Sequence, residues 1–244
     1  MSTPTRFPKG VSTQEVWQVL GNYGSPDPAK FHTYFNDFDT LSGTDFTITT
    51  VGTSSTALVA GAGGLIRSST SAGATDAEYL QLVAAGFTFT PATSSAGGLK
   101  ALFRIKLQVS DATNSAIHAG LINTTATPQA PQDGLFFLKA SGATTFILRS
   151  MVGGVATDLA LTGFNFANAT DIELGFYFDG KTTVYAYVND FIVSTNPSAA
   201  NKGAIASFTP TLTTANLAPS FGILNGAGAI KTLTVDHVFA AVER

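Results

Sequence analysis

Apolar and polar residues alternate with a period of two along most of the chain. The clearest run covers residues 99–109. Leu99, Ala101, Phe103, Ile105, Leu107 and Val109 share one face, while Lys100, Arg104, Lys106 and Gln108 share the other. This alternation predicts a half-buried β-strand. Residues 171–178 repeat the plan, with Ile172, Leu174, Phe176 and Phe178 inward and Asp171, Glu173, Gly175 and Tyr177 outward. Asp179-Gly180 then signals a tight hairpin, and residues 183–189 run back with Val184, Ala186 and Val188 on one side. Asn189-Asp190 turns into a further short run at 191–193. Weaker strand patterns lie at 34–38, 46–51, 80–82, 87–90, 119–122, 135–138, 144–151, 220–224 and 232–241. Gly153-Gly154 reads as the turn after the 144–151 strand, with 155–161 returning. Stretches 53–62 and 91–98, rich in Ser, Thr, Ala and Gly, read as long surface loops. Many short strands with frequent turns predict a sandwich or barrel. No helix of crossover length separates them, which excludes a parallel α/β sheet.

One segment carries a helical pattern instead. Ser12 and Glu15 have capping-box spacing, Val16, Val19 and Leu20 follow at helical intervals, and Gly21 can end the helix. Three turns are too few for stability alone in water, so this helix must lean on another surface. Trp17, the only Trp, sits in its middle. Prolines and glycines at 22–28 form a linker. The chain therefore divides into an N-terminal arm, residues 1–33, and a β body, residues 34–244.

Composition narrows the function classes. Charged residues make up 12% of the chain, about half the usual share, and Thr, Ser, Ala, Gly and Asn replace them. Such a surface suits protein contacts, because a hydroxyl or methyl is desolvated more cheaply than a charge; it suits a Thr-rich β protein equally well. A net charge of −3 with scattered signs offers no basic stripe for nucleic acid. No run approaches the ~18 apolar residues of a membrane helix. The polar, proline-broken N-terminus holds no signal-peptide core, and Cys is absent. Production in a cytoplasm, without disulfides or thiolate metal sites, is the expectation.

Candidate chemistry is sparse. His32, His118 and His237 lie far apart in sequence without metal spacing, and His237, between Val235 and Phe239, reads as an inward-facing core histidine. Nucleophile-elbow, phosphate-loop and dinucleotide motifs are missing. Asp171-Ile172-Glu173 places two carboxylates on one strand face, the geometry a retaining glycosidase uses, yet a solvated strand face explains them without further residues. Asn36, Asp37 and Asp39 cluster near the first strand but fall short of the six to eight oxygens calcium takes. The expectation is a non-enzyme with no catalytic residues, cofactor or metal.

The run Asp171-Ile-Glu-Leu-Gly-Phe-Tyr-Phe-Asp-Gly180, followed by Thr183-Val-Tyr-Ala-Tyr-Val-Asn-Asp-Phe-Ile-Val193, resembles the central hairpin of concanavalin A-like (laminin G-like) jelly rolls, with Asp190 where those place a glycine. The resemblance implies an all-β jelly-roll sandwich behind the arm and its one short helix. Arg6-Phe-Pro-Lys-Gly10, Pro26-Asp-Pro-Ala-Lys30 and Tyr34-Phe-Asn-Asp-Phe-Asp39 resemble structural proteins of tailed bacteriophages akin to capsid decoration, or cement, proteins. That likeness implies a virion protein on the capsid surface, made in the host bacterial cytoplasm and bound to the major capsid protein. A homo-oligomer is expected, a trimer ahead of a dimer, with no nucleic-acid or membrane partner. The arm residues expected to make the capsid or subunit contact are Arg6, Phe7, Val16, Trp17 and Leu20. The alternative is a carbohydrate-binding module of a tail fibre or spike, reading a host-surface glycan through Tyr177, Tyr185 and Tyr187.

Overall fold

The computed structural model describes residues 30–189 and 206–244, except 62, 85, 94–97, 163 and 165. The arm helix, Arg6, Phe7, Val16, Trp17, Leu20 and the 191–193 strand lie outside the described residues.

The alternating patterns fold as two antiparallel sheets packed face to face, with the inward residues of both filling one core. The eight-stranded sheet runs in the order β13 (Ala206–Phe208), β12 (Val184–Val188), β11 (Ile172–Phe178), β6 (Ala101–Val109), β15 (Thr232–Glu243), β4 (Leu65–Ser69) and β3 (Ser55–Val59). Its eighth member, β1 (Phe31–Asn36), pairs with β15 as well. The seven-stranded sheet runs β10 (Val155–Ala160), β9 (Ile147–Val152), β8 (Gly134–Lys139), β7 (Ser115–Ile122), β14 (Ala218–Asn225), β5 (Ala77–Leu82) and β2 (Phe46–Val51).

β15 is long enough to serve three neighbours. One side follows β6; the other pairs first with β4, through Thr232 to Val235, and then with β1, through Val238 to Glu243. At the changeover the register against β6 slips between Val235 and His237. This bulge adds one residue, so Asp236 and His237 both miss the core while Val235 and Val238 both enter it. His237 is therefore not the inward-facing histidine that strict alternation predicts.

Aromatic side chains dominate the core. Phe103 on β6 and Phe176 on β11 are neighbours in register and stack at 5.5 Å, with Phe89 and Phe137 on Phe176 at 6.4 and 6.1 Å. Phe221 lies 5.8 Å from Phe38 and 5.9 Å from Phe46.

Several boundaries differ from the sequence pattern. The first described strand begins at Phe31 rather than residue 34, because the end of β15 offers β1 a partner up to Glu243. β1 stops at Asn36, since Phe38 takes a left-handed φ of 57° and Asn36 Oδ1 accepts its N–H at 2.8 Å. Residues 53–62, read as a loop, contain β3; β4 escaped notice too. Their buried polar contacts, such as Thr56 to Ser68 at 3.0 Å, imitate no hydrophobic alternation. Residues 87–90 make two isolated bridges instead of a strand, although Phe87 and Phe89 are buried. Gly153 and Gly154 form the two-residue hairpin turn as expected, with φ of 56° and 83°. The loop after β11 is longer: Asp179 Oδ1 accepts the N–H groups of Lys181, Thr182 and Thr183.

His118 occupies the outer face of the seven-stranded sheet between Tyr79 and Phe136, at ring separations of 5.8 and 5.5 Å. The connection between β7 and β8 lies over this row. Gln81 holds it, donating to the Asn123 carbonyl and accepting from Thr125 N–H, and His118 donates to the Pro128 carbonyl. Burial lowers the His118 pKa to about 4; the Pro128 bond opposes this shift and the Arg149 charge adds to it. Asn36 is spent on capping Phe38, and among the described residues no group of three or more His, Asp or Glu side chains is placed to hold a metal.

Two outcomes follow for stability. Phe103→Ala or Phe176→Ala each removes a fully buried ring and should cost about 3–5 kcal/mol in urea denaturation; midpoints unmoved by both would reverse the face assignment. Because His118 titrates at about 4 when folded against 6.5 as the ordinary value, acidification protonates the unfolded chain first. Its stabilising contribution is whole well above pH 6.5 and drains as pH falls towards 4, with about 2 kcal/mol lost by pH 5. His118→Gln should flatten that slope in denaturant melts taken across this window, and an unchanged slope would show that another group controls it.

Candidate interaction face on the eight-stranded sheet

The outward positions of β12, β11, β6, β15 and β1 form one continuous face, and the strand register arranges it in two halves. Near the bulge, Glu173 lies opposite Lys106, and Lys106 opposite His237. Farther along, Tyr185, Tyr177, Leu102 and Ala241 make one row across four strands.

The first half is charged, with the carboxylates of Asp171, Glu173 and Asp236 set against the cations Lys106 and Arg104. Lys106 Nζ lies 2.6 Å from Asp236 and 3.5 Å from Asp171, while Arg104 Nε contacts the Glu173 carboxylate. Gln108 donates to Asp171 Oδ1 at 3.1 Å. The hydrogen bond to Asp236 raises the Lys106 pKa, with partial burial opposing it. Burial, then the Arg104 charge, lowers that of His237, which sits 3.7 Å from Asp236 and 4.0 Å from Glu173. The Asp171 side chain is 58% exposed, as a solvated face requires, but that of Glu173 is only 19% exposed. The register places Glu173 beside Arg104 and shields both.

The second half is apolar. Leu102, Tyr187 and Ala241 are buried on this outward side, with Phe31, Tyr177, Tyr185 and Phe239 packed against them. Phe35, opposite Phe239 in register, is 60% exposed. Tyr177 and Tyr185 stack at 6.2 Å with their rings 20° apart, and both keep some exposure. Tyr187 does not: it is wholly buried, and desolvation raises its pKa, with Tyr177 and Tyr185 adding to the effect. Of the three tyrosines predicted to touch a glycan, Tyr187 thus offers a ligand no surface. Sequence reasoning missed the apolar partners Leu102, Phe239 and Ala241. The one signal was Leu102, an apolar residue among the polar outward positions of its strand.

Chemically, the two halves of this face differ. Glycosidic cleavage by a carboxyl pair needs one carboxyl held protonated by apolar surroundings. Here Glu173 contacts the Arg104 guanidinium and Asp171 lies 3.5 Å from Lys106 Nζ, so neither carboxylate has an apolar setting. The aromatic half can bury area against a partner with few charges to desolvate.

No family model matches the chain, and no curated protein matches it by sequence. Solved structures do share the architecture. A protein of unknown function from Shewanella oneidensis MR-1 superposes with a TM-score of 0.54 at 12% identity, over 88% of this chain and 87% of that one. The β-glucanase of Bacillus licheniformis gives 0.56 at 10% identity, over 85% and 97%. Peanut lectin gives 0.53 at 7% identity, over 87% and 97%. The fold is the concanavalin A-like jelly roll. At these identities the likeness concerns the fold alone, which hosts enzymes and lectins alike.

The contrast between the two carboxylates is testable in this jelly roll. Glu173→Gln removes the carboxylate charge that Arg104 contacts and should cost about 1–3 kcal/mol. Asp171→Asn on the exposed rim should stay within about 0.5 kcal/mol. Chemical denaturation of both variants checks this, and equal costs would refute the shielding assigned to Glu173.

Proposed function

We propose that this jelly roll is a non-catalytic structural protein that decorates and stabilises the outer capsid surface of a tailed bacteriophage through protein–protein contacts. The observation that carries the binding role is the margin of the outward apolar cluster: exposed Phe35 with the partly exposed Phe239, Tyr177 and Tyr185, set around the buried Leu102, Ala241 and Tyr187. Apolar surface gathered on an outward face marks an interaction site. The arm, with Arg6, Phe7, Val16, Trp17 and Leu20, joins the body at Phe31, a member of this cluster. The capsid as partner rests on the resemblance of the opening segments to phage structural proteins. The charge-poor surface suits several simultaneous protein contacts, and the cation-held carboxylates suit a body without hydrolytic work.

A second reading draws on the Tyr177–Tyr185 stack, whose partly exposed rings could receive a sugar in the manner of a tail-fibre glycan-binding module. One pair of variants separates the two. Phe35→Asp with Tyr185→Ser should weaken co-sedimentation with capsids of the encoding phage prepared without this protein by at least tenfold. Undiminished capsid binding would sink the decoration role. Saturable glycan binding lost in Tyr177→Ala and Tyr185→Ala would establish the other.

A further inference from the structure

Among the described residues, β2 closes the seven-stranded sheet and is paired on one side only. Val83 N–H donates to the Asp45 carbonyl at 2.9 Å, which fixes the phase of the ladder: Asp45 and every second residue after it bond towards β5. The backbone N–H and C=O groups of Phe46, Ile48 and Thr50 therefore point out of the sheet, and no described residue hydrogen-bonds to them. β3 ends the other sheet alongside, paired only with β4. Glu78 ties the two edges together, accepting from Thr50 Oγ1 at 2.7 Å and from Thr56 Oγ1 at 2.9 Å. Ile48 and Leu58 stand on these edges 41% and 43% exposed.

Proteins blunt such edges with Lys, Pro, bulges or inward charges, because an open ladder recruits another strand. None of these devices protects β2. No Asp, Glu, Lys, Arg or Pro occurs from Phe46 to Ile66, and the register with β5 is unbroken. Of the nearby charges, Asp45 lies just outside the strand, and Glu78 is 1% exposed and taken up by its two hydroxyl partners. The opposite edge of the same sheet is different: β10 carries Asp158, gripped at 2.7 Å through both carboxylate oxygens by Arg149.

We infer that β2 is a self-association edge whose partner is β2 of a second copy of this chain, added antiparallel across a twofold axis at Ile48. The outward-bonding residues then meet in matched pairs, Ile48 against Ile48 and Phe46 against Thr50, and two seven-stranded sheets become one. A twofold axis sets each residue against its own kind or its mirror position, so a charged strand would meet its own sign. An uncharged strand tolerates that pairing. A groove of about 640 Å³ runs along the same strand towards the 124–126 loop, lined by Thr47, Thr49, Gln81 and Thr125. It gives the partner's side chains room among hydroxyls. Twofold edge pairing closes at two copies, which makes the chain a dimer rather than the trimer expected from sequence, independently of any capsid role.

The test is sedimentation equilibrium of the full chain with charge-swapped edges. Wild type should sediment as a dimer. Ile48→Lys and Ile48→Glu should each dissociate to monomer at concentrations at least tenfold above those at which wild type remains paired. An equimolar mixture of the two should recover the dimer, which no misfolded variant would do. A monomeric or trimeric wild type, variants that stay associated, or a mixture that fails to recover would each overturn the assignment.

Discussion

The pairing of β15 with β6 and its interruption at Asp236 organise the eight-stranded sheet. Before the bulge, β15 presents its free side to β4; after it, to β1. One strand thereby joins the N-terminal edge of the body to its centre. The extra residue also restores the inward phase, so Val235 and Val238 both reach the core although three positions separate them. Without it, one half of the strand would turn its apolar side chains to solvent.

The same bulge divides the outward face. Two successive outward residues, Asp236 and His237, gather Lys106, Asp171, Glu173 and Arg104 into one ion-paired group. Beyond it the phase returns Phe239 and Ala241 to the outer side, beside Leu102 and the tyrosines. A local insertion thus decides which part of the face carries ion pairs and which part carries the apolar cluster. The binding role proposed for this protein grows from that division, and the edge at β2 adds a second surface of another kind, where open backbone rather than side chains makes the contact.

Much of this was legible along the chain. The faces of β6 and β11 follow their alternation residue by residue, since each strand has one side in a close-packed core and the other outside it. β3 and β4 were not legible, because Thr56, Ser68 and Glu78 satisfy one another inside the structure while reading as loop chemistry in the sequence. The tyrosines were identified on the correct strands, yet the burial of Tyr187 depends on neighbours drawn from strands distant in sequence.

By itself, the sequence determined the all-β class, the two best strand faces, the Gly153-Gly154 turn and the absence of disulfides, because period, turn chemistry and composition are local properties. Only the tertiary structure decided which strands lie side by side, where β15 slips its register, that His118 and not His237 is the deeply buried histidine, and which strands form the sheet edges. Each of these depends on a partner residue far away in the chain, and alternation within one strand carries no information about the strand beside it.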